Sequence, residues 1–173
     1  MKVEELLKDY NAGVRDFSGV NLSEADLRES DLSGAILDGA ILDGAKLNYA
    51  NLTQTSLISA DLNGADLSNA NLTESKLAGA ILDGAILDGA ILDGADLSQA
   101  DLTIAKLIEA DLSEAELQEA NLQAANLGQA DLSGADLSVA DLSQANLSQA
   151  DLNEANLNGA NLDDTDVGGT ILD

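Results

Sequence analysis

The chain has 173 residues, the size of one ordinary domain, and its 32 acidic residues against 7 basic ones give a formal net charge of −25. It contains no cysteine and no histidine, which excludes a disulfide framework, thiolate chemistry and catalysis by a histidine base. Only 2% of the residues are aromatic, yet 45% are apolar and recur with a strict period, so we expect a folded chain rather than a disordered one.

The first element in chain order is a short amphipathic helix, predicted for residues 2–10, with Asn11 and Gly13 ending it. We assign residues 1–14 to an N-terminal cap that covers one end of the repeats. Val3, Leu6, Leu7 and Tyr10 form one apolar stripe on this helix, and Phe17 is predicted to fill the first core position beneath the cap. The start of the chain lacks the apolar stretch of a secretory signal, and no apolar run reaches the roughly 20 residues that cross a bilayer. We therefore expect a cytoplasmic protein with no membrane contact.

A five-residue repeat occupies the rest of the chain, residues 15–173. Leucine stands at every fifth position from Leu22 to Leu162, a small residue (usually alanine) lies two positions earlier, and Asp or Asn is the commonest residue between them. An α-helix would spread such leucines around its axis, and a continuous strand would send alternate leucines to opposite faces. We therefore predict that Ala and Leu point inward along a short extended side, that the residue between them points outward, and that the next two residues turn a corner.

The pattern A-(D/N)-L-x-x, as in Ala25-Asp26-Leu27, resembles the pentapeptide-repeat proteins over residues 15–173. The resemblance implies an all-β solenoid, a right-handed, four-sided (quadrilateral) parallel β-helix with four repeats in each coil. The chain holds about 32 repeats and would then form about eight coils, in a rod about 38 Å long at roughly 4.8 Å per coil. The N-terminal segment also looks like the cap of cyanobacterial members of that family.

No constellation of residues in the sequence indicates an enzyme. The many carboxylates belong to the repeat rather than to one pair in a pocket, and we expect no catalytic residue, no cofactor and no dedicated metal site. Asp111, Asp131 and Asp151 are spaced by one coil and are predicted to stack in an acidic ladder. Two interpretations of this ladder stay open: a weak divalent-cation site, or the ordinary outward residues of the repeat.

Two interruptions of the outward Asp and Asn residues form a candidate partner surface. They consist of isoleucines in A-I-L-D-G units: Ile36, Ile41, Ile81, Ile86 and Ile91. Exposed apolar residues that cluster can mark a protein-binding surface. The alternative is that identical units were copied by recent duplication.

From these features we expect a non-enzymatic solenoid that offers a protein-binding or scaffolding surface. The alternative is an acidic DNA mimic that binds a topoisomerase such as DNA gyrase, as some members of the resembled family do. The sign of the charge disfavours direct nucleic-acid binding. The C-terminal coil, with Leu172 exposed, is predicted either to pair end to end with a second copy or to remain an open end blunted by Asp166 and Asp173.

Overall fold

The computed structural model describes residues 1–171 and contains one helix, α1 (Val3–Asn11), followed by the repeats. The helix lies one residue further along the chain than predicted, because Lys2 still has extended backbone angles and Asn11 is helical. Gly13 follows the helix with a φ of 95°, a conformation that glycine adopts without strain. No helix in the described residues is long and apolar enough to cross a membrane.

Helix α1 packs on the first repeats through both apolar and polar contacts. Leu6 and Tyr10 are buried in the same core as Phe17, while Val3 and Leu7 pack against that core and are only partly buried. Two further contacts reach backbone carbonyls at the edge of the first repeats: the Tyr10 hydroxyl donates a hydrogen bond to the Ser33 carbonyl at 2.7 Å, and the N-terminal ammonium donates one to the Asn21 carbonyl at 3.0 Å.

The repeats wind into a coil with four repeats per turn. Every fifth residue from Asp16 forms a parallel bridge with the residue twenty positions later, the last bridge being Asp151 to Ile171. Each bridge is isolated, and residues 1–171 contain no strand longer than one bridge residue. The reason is the short period: two of every five residues turn a corner, so each side is too short for a longer ladder.

Hydrogen bonding within and between turns uses every backbone amide of a typical repeat. Three of the five amides donate to neighbouring turns, one closes the preceding corner, and one donates to the side chain of the bridge residue. In the repeat at 95–99 the acceptors are, in order, Leu92 O, Ser75 O, Glu116 O, Asp96 Oδ1 and Gln118 O, at 2.9, 2.9, 2.7, 3.0 and 2.9 Å. The coil is therefore held by contacts with the turns before and after it.

The core is a continuous column of leucine flanked by alanine. Every leucine of the repeat from Leu22 to Leu152 is at most 2% exposed, whereas Leu162 in the last turn is 40% exposed. Burial of one such side chain contributes about 1.5–3 kcal/mol. The inward and outward positions predicted from the sequence are those of the structure.

All corners share one backbone conformation, which most side chains adopt only under strain. The second corner residue of every repeat from Gly19 to Gly169 has a positive φ, although many of these residues are not glycine. The β-branched residues Ile104 and Val139 have φ values of 51° and 61°, where branching at Cβ makes the left-handed conformation most unfavourable.

We expect Val139→Gly to raise the free energy of unfolding by about 1 kcal/mol. Relief of about 1–2 kcal/mol of backbone strain exceeds the roughly 0.5–1 kcal/mol entropic cost of glycine. The Val139 side chain is 63% exposed, so its removal sacrifices little packing. Chemical denaturation measures the change, and Gly64→Val is the reverse control, since Gly64 has a φ of 60° and open space at its Cβ position. A stabilising Gly64→Val would contradict the strain argument.

Candidate partner-binding surface

The outward Asp and Asn residues each complete a corner of the coil. At every bridge position occupied by Asp or Asn, the side-chain Oδ1 accepts a hydrogen bond from the amide two residues later; for Asp131 the donor is Ser133 N at 3.0 Å. Within residues 1–171 this amide has no backbone carbonyl as acceptor, so the side chain satisfies it. Asn performs this role as well as Asp, for example Asn146 with Ser148 N at 2.9 Å. The residue type is therefore set by the corner, and the negative charge is additional to that role.

Where another residue replaces Asp or Asn, a carboxylate of the preceding turn can take over. The amide of Ile58 donates to Asp38 Oδ1 at 3.1 Å because Ser56, at the bridge position, does not accept it. The amide of Ile108 donates to Asp88 Oδ1 at 2.9 Å in the same way, above the bridge residue Lys106. The Asp of an A-I-L-D-G unit thus supports the corner of the next turn.

The three residues of the acidic ladder occupy one column of the coil. Parallel bridges join Asp111 to Asp131 and Asp131 to Asp151, which stacks the three carboxylates in one column. At about 4.8 Å, neighbouring charges repel by roughly 0.9 kcal/mol even in water. Other columns relieve this repulsion with an amide: Asn156 Nδ2 donates to Asp136 Oδ1 at 2.9 Å. No group of three or more His, Cys, Asp or Glu residues in 1–171 has the geometry of a metal site.

Local hydrogen bonds lower the pKa of some carboxyls of the repeat. The Gln118 side-chain amide, at 2.8 Å, and then the Ser138 amide hold the pKa of Asp136 below its usual value. The Arg28 guanidinium lowers the pKa of Asp26 to about 2. These carboxylates are charged at neutral pH, so the outer surface of the coil is strongly anionic.

The charge is distributed unevenly along the axis of the coil. All seven basic residues lie between Lys2 and Lys106, whereas residues 107–173 contain fourteen Asp or Glu residues and no Lys or Arg. The acidic ladder lies within this segment, so its carboxylates have no basic side chain in the turns above them.

An apolar belt, which we define as Ile81, Ile86, Ile91, Ile104 and Ile108, wraps three consecutive sides of the coil. The first three residues occupy successive bridge positions in one turn, and the last two occupy the intervening corners in the next turn. Ile104 Cδ1 lies 3.8 Å from the Cβ position of Gly84, which shows that the two turns meet at that corner. Ile81, Ile91 and Ile104 are 43, 41 and 57% exposed.

The other two predicted isoleucines do not join the apolar belt. Ile41 and Ile81 lie in one column, but Asp61 bridges to both and separates them. Ile36 lies on the neighbouring side in the turn of Ile41. Sequence reasoning missed Ile104 and Ile108, although their corner positions are otherwise polar or small in most repeats, and that departure was the available signal.

Shallow depressions lie on the surface of the described residues. One of about 290 Å³ borders the apolar belt and is lined by Asn69, Asp88, Gly89, Ile108 and Glu109. A larger one of about 640 Å³ lies between the start of helix α1 and residues 21–26.

The last described turn presents apolar side chains at the end of the coil. Leu162, Val167 and Ile171 are 40, 48 and 52% exposed. Leu172 and Asp173, which the sequence places in the same turn, lie outside the described residues. End-to-end pairing of two copies through this turn stays a prediction.

Comparisons with known proteins agree with the repeat. Solved structures that resemble the chain include HetL from Nostoc sp. strain PCC 7120, a protein involved in heterocyst differentiation regulation, with 33% identity, coverage of 99% of this chain and 97% of HetL, and a TM-score of 0.36. Another is the plasmid-mediated fluoroquinolone resistance protein QnrB1, with 20% identity, coverage of 92% of this chain and 90% of QnrB1, and a TM-score of 0.53. No curated protein sequence matches the chain.

The model of the family "Pentapeptide repeats" matches eight copies, at residues 16–48, 42–73, 65–103, 105–138 and 135–173. Those segments span nearly all of the coil, and the likeness to QnrB1 shows the same fold, a right-handed quadrilateral β-helix. Cyanobacterial proteins are among the similar structures, HetL at 33% identity and the Nostoc protein alr5209 at 38%. The chain therefore belongs to the pentapeptide-repeat family.

Proposed function

We propose that the protein is a non-enzymatic binding or scaffolding solenoid, and that its apolar belt is the surface that contacts a protein partner. The observation that carries this proposal is that three of the belt isoleucines stand at positions where other repeats use Asp or Asn to complete the corner. At Ile81, Ile86 and Ile91 the corner amide two residues later has no side-chain acceptor in the described residues, whereas Asp or Asn would supply one. These residues expose apolar surface and forgo a hydrogen bond, which favours a role outside the fold.

The scaffold of this proposal is a rod of about eight coils whose first coil is covered by helix α1. The open edge of a parallel coil presents unpaired backbone groups and exposed core side chains. The bonds from Tyr10 and the N-terminal ammonium to edge carbonyls, together with burial of Leu6, support a capping role for residues 1–14. In a capped rod of this kind the apolar belt lies at a fixed distance along the axis from the cap.

The second candidate function is an acidic DNA mimic that binds a topoisomerase such as DNA gyrase. A net charge of −25 over a length of about 38 Å gives about one charge per 1.5 Å, close to the roughly 1.7 Å of duplex DNA. The segment 107–173, which has no basic residue, carries the densest part of this charge. In this case the partner surface is basic and the acidic ladder, rather than the apolar belt, makes the contact.

The repeat itself supplies matched variants that separate the two candidates. The belt variant carries Ile81→Asn, Ile86→Asn and Ile91→Asn, which removes apolar surface and restores the corner hydrogen bond. The ladder variant carries Asp111→Asn, Asp131→Asn and Asp151→Asn, which removes charge and keeps that bond. Both variants place in each repeat a residue that other repeats already hold, such as Asn121 or Asn146, so we expect both to fold.

A photo-crosslinker at position 86, compared with one at position 138 on the same rod, identifies a partner in cells of the source organism. The purified partner is then titrated with the wild-type protein and with both variants. We expect the belt variant to lose affinity by at least about tenfold, which corresponds to the loss of roughly one buried isoleucine contact. Equal affinity of the belt variant and the wild type would contradict a contact through the apolar belt.

The DNA-mimic candidate is tested by inhibition of gyrase supercoiling at physiological salt. An unrelated protein of equal size and charge is the control. The mimic would be favoured if the protein inhibits gyrase at a lower concentration than the control does. The ladder variant should then lose this inhibition, and the belt variant should keep it. Inhibition no stronger than that of the control would remove this candidate for the gyrase tested.

A further inference from the structure

The chain contains two Asn-Gly sequences in equivalent positions of the coil. Asn63-Gly64 and Asn158-Gly159 both form a corner, both follow leucine and precede alanine, and both Asn residues are exposed. Gly64 and Gly159 have φ values of 60° and 77°. An Asn-Gly pair is chemically labile because glycine has no side chain to hinder attack of its backbone nitrogen on the Asn side-chain carbonyl. If only the local sequence and the exposure mattered, the two pairs would react at equal rates.

The hydrogen bonds of the two glycines differ. The amide of Gly64 donates to the Asp83 carbonyl of the next turn at 2.9 Å. The amide of Gly159 donates to no acceptor in the part of the chain that the structure describes. The nucleophilic nitrogen is thus held in an inter-turn bond at the first pair, and at the second pair it has no such bond to any residue of 1–171.

The packing beneath the two corners differs in the same direction. Leu62, which precedes the first pair, is fully buried, whereas Leu157 is only partly buried. Ala60 is buried and the equivalent Ala155 is half-buried. Ring closure requires rotation about the Asn backbone, which a tightly packed corner resists. Local opening is therefore easier at Asn158 than at Asn63.

From these contacts we infer that Asn158 is a site of spontaneous deamidation, at which the protein modifies itself through a succinimide. The Gly159 nitrogen attacks Asn158 Cγ and loses its proton, the C–N bond of the side-chain amide breaks, and ammonia leaves. Water then opens the five-membered ring at either carbonyl, which gives aspartate or isoaspartate. The net reaction exchanges one amide for one carboxylate, with water as the only co-reactant and no change in oxidation state.

The modification changes the last turns in two ways. It adds a negative charge to the segment 107–173, which holds no basic residue. The isoaspartate product also lengthens the backbone between Asn158 and Gly159 by one carbon. The carbonyl of Asn158 accepts the amide of Val139 at 3.0 Å, so this lengthening strains an inter-turn bond. The end of the coil is therefore weakened where it is already least buried.

The test incubates the full wild-type chain at neutral pH and 37 °C and follows both Asn residues by mass spectrometry after digestion beside leucine. The deamidated peptides show the mass increase that accompanies exchange of NH₂ for OH, and a protein isoaspartyl methyltransferase labels the isoaspartate product. In the native protein we expect Asn158 to react at least about fivefold faster than Asn63, the factor that release of one hydrogen bond supplies.

The same incubation in concentrated urea is the matched control. There the two pairs have lost their different surroundings, and their rates are expected to become equal. Equal rates in the native protein would overturn the inference. It would also fail if the native ratio persisted in urea, because the difference would then belong to the local sequence and not to the fold.

Discussion

Leu97→Ala is expected to lower the free energy of unfolding by about 2–5 kcal/mol, whereas Ser98→Ala is expected to change it by less than about 0.5 kcal/mol. Leu97 is fully buried in the leucine column, and its truncation leaves a cavity between turns that cannot collapse without breaking the coil register. The Ser98 hydroxyl donates to Asp96 Oδ1 at 2.6 Å, but the Ser98 amide donates to the same oxygen and holds the corner without it.

Denaturant titration of both purified variants measures this difference. Leu157→Ala provides a second comparison, since Leu157 lies near the end of the coil and is only partly buried. In a solenoid each repeat contacts only its neighbours, so truncation near the end should cost less than truncation in the middle. Equal losses from Leu97→Ala and Ser98→Ala would refute the assignment of inward and outward positions.

Asp131→Asn is expected to stabilise the protein by about 1–2 kcal/mol. Asp131 stands between Asp111 and Asp151 in the acidic ladder, so the change removes repulsion with two neighbours. The new amide can also donate to Asp111, as Asn161 Nδ2 does to Asp141 Oδ1 at 3.1 Å. The Oδ1 atom that accepts the Ser133 amide is retained.

Asp131→Ala separates the two effects, because it removes the charge and the corner acceptor together. We expect the Ala variant to be less stable than the Asn variant by about 1 kcal/mol, the net contribution of one hydrogen bond. Thermal unfolding at two salt concentrations provides an independent check. Added salt should raise the melting temperature of the wild type, and should raise that of Asp131→Asn by less. A destabilising Asp131→Asn would show that the ladder is relieved by another contact.

The architecture was accessible from the sequence because its period is unbroken. Strict spacing of leucine from Leu22 to Leu162 leaves only a short-sided coil, and Val3, Leu6 and Tyr10 mark the helix with an error of one residue. The number of sides came from resemblance, since a five-residue period alone does not fix how many corners close a turn. Once four repeats per turn are known, the stacking of Asp111 on Ile91 follows by counting.

The details of the candidate surface were less accessible. Ile104 and Ile108 belong to the apolar belt because the corners of their turn lie between the sides of the turn below. A linear sequence pattern does not show this neighbourhood. The support of Ile108 by Asp88 likewise joins residues twenty positions apart. The reason for Asp and Asn at the bridge positions cannot be seen in the sequence. It becomes clear only in the structure, where the amide two residues later has no backbone acceptor and bonds to the Asp or Asn side chain.

Each bridge residue pairs with the residue twenty positions later. The number of residues that separate two positions therefore sets the angle between them around the axis of the rod, which we call their phase. Deletion of one repeat, such as residues 120–124, would turn everything beyond it by a quarter rotation about the axis. Asp131 would then stand above Lys106 and Ile86 instead of above Asp111 and Ile91. Deletion of a whole turn would shorten the rod and leave that phase unchanged. Two surfaces on one such rod can thus be aimed in the same or in different directions by insertions and deletions alone, without a change in any side chain.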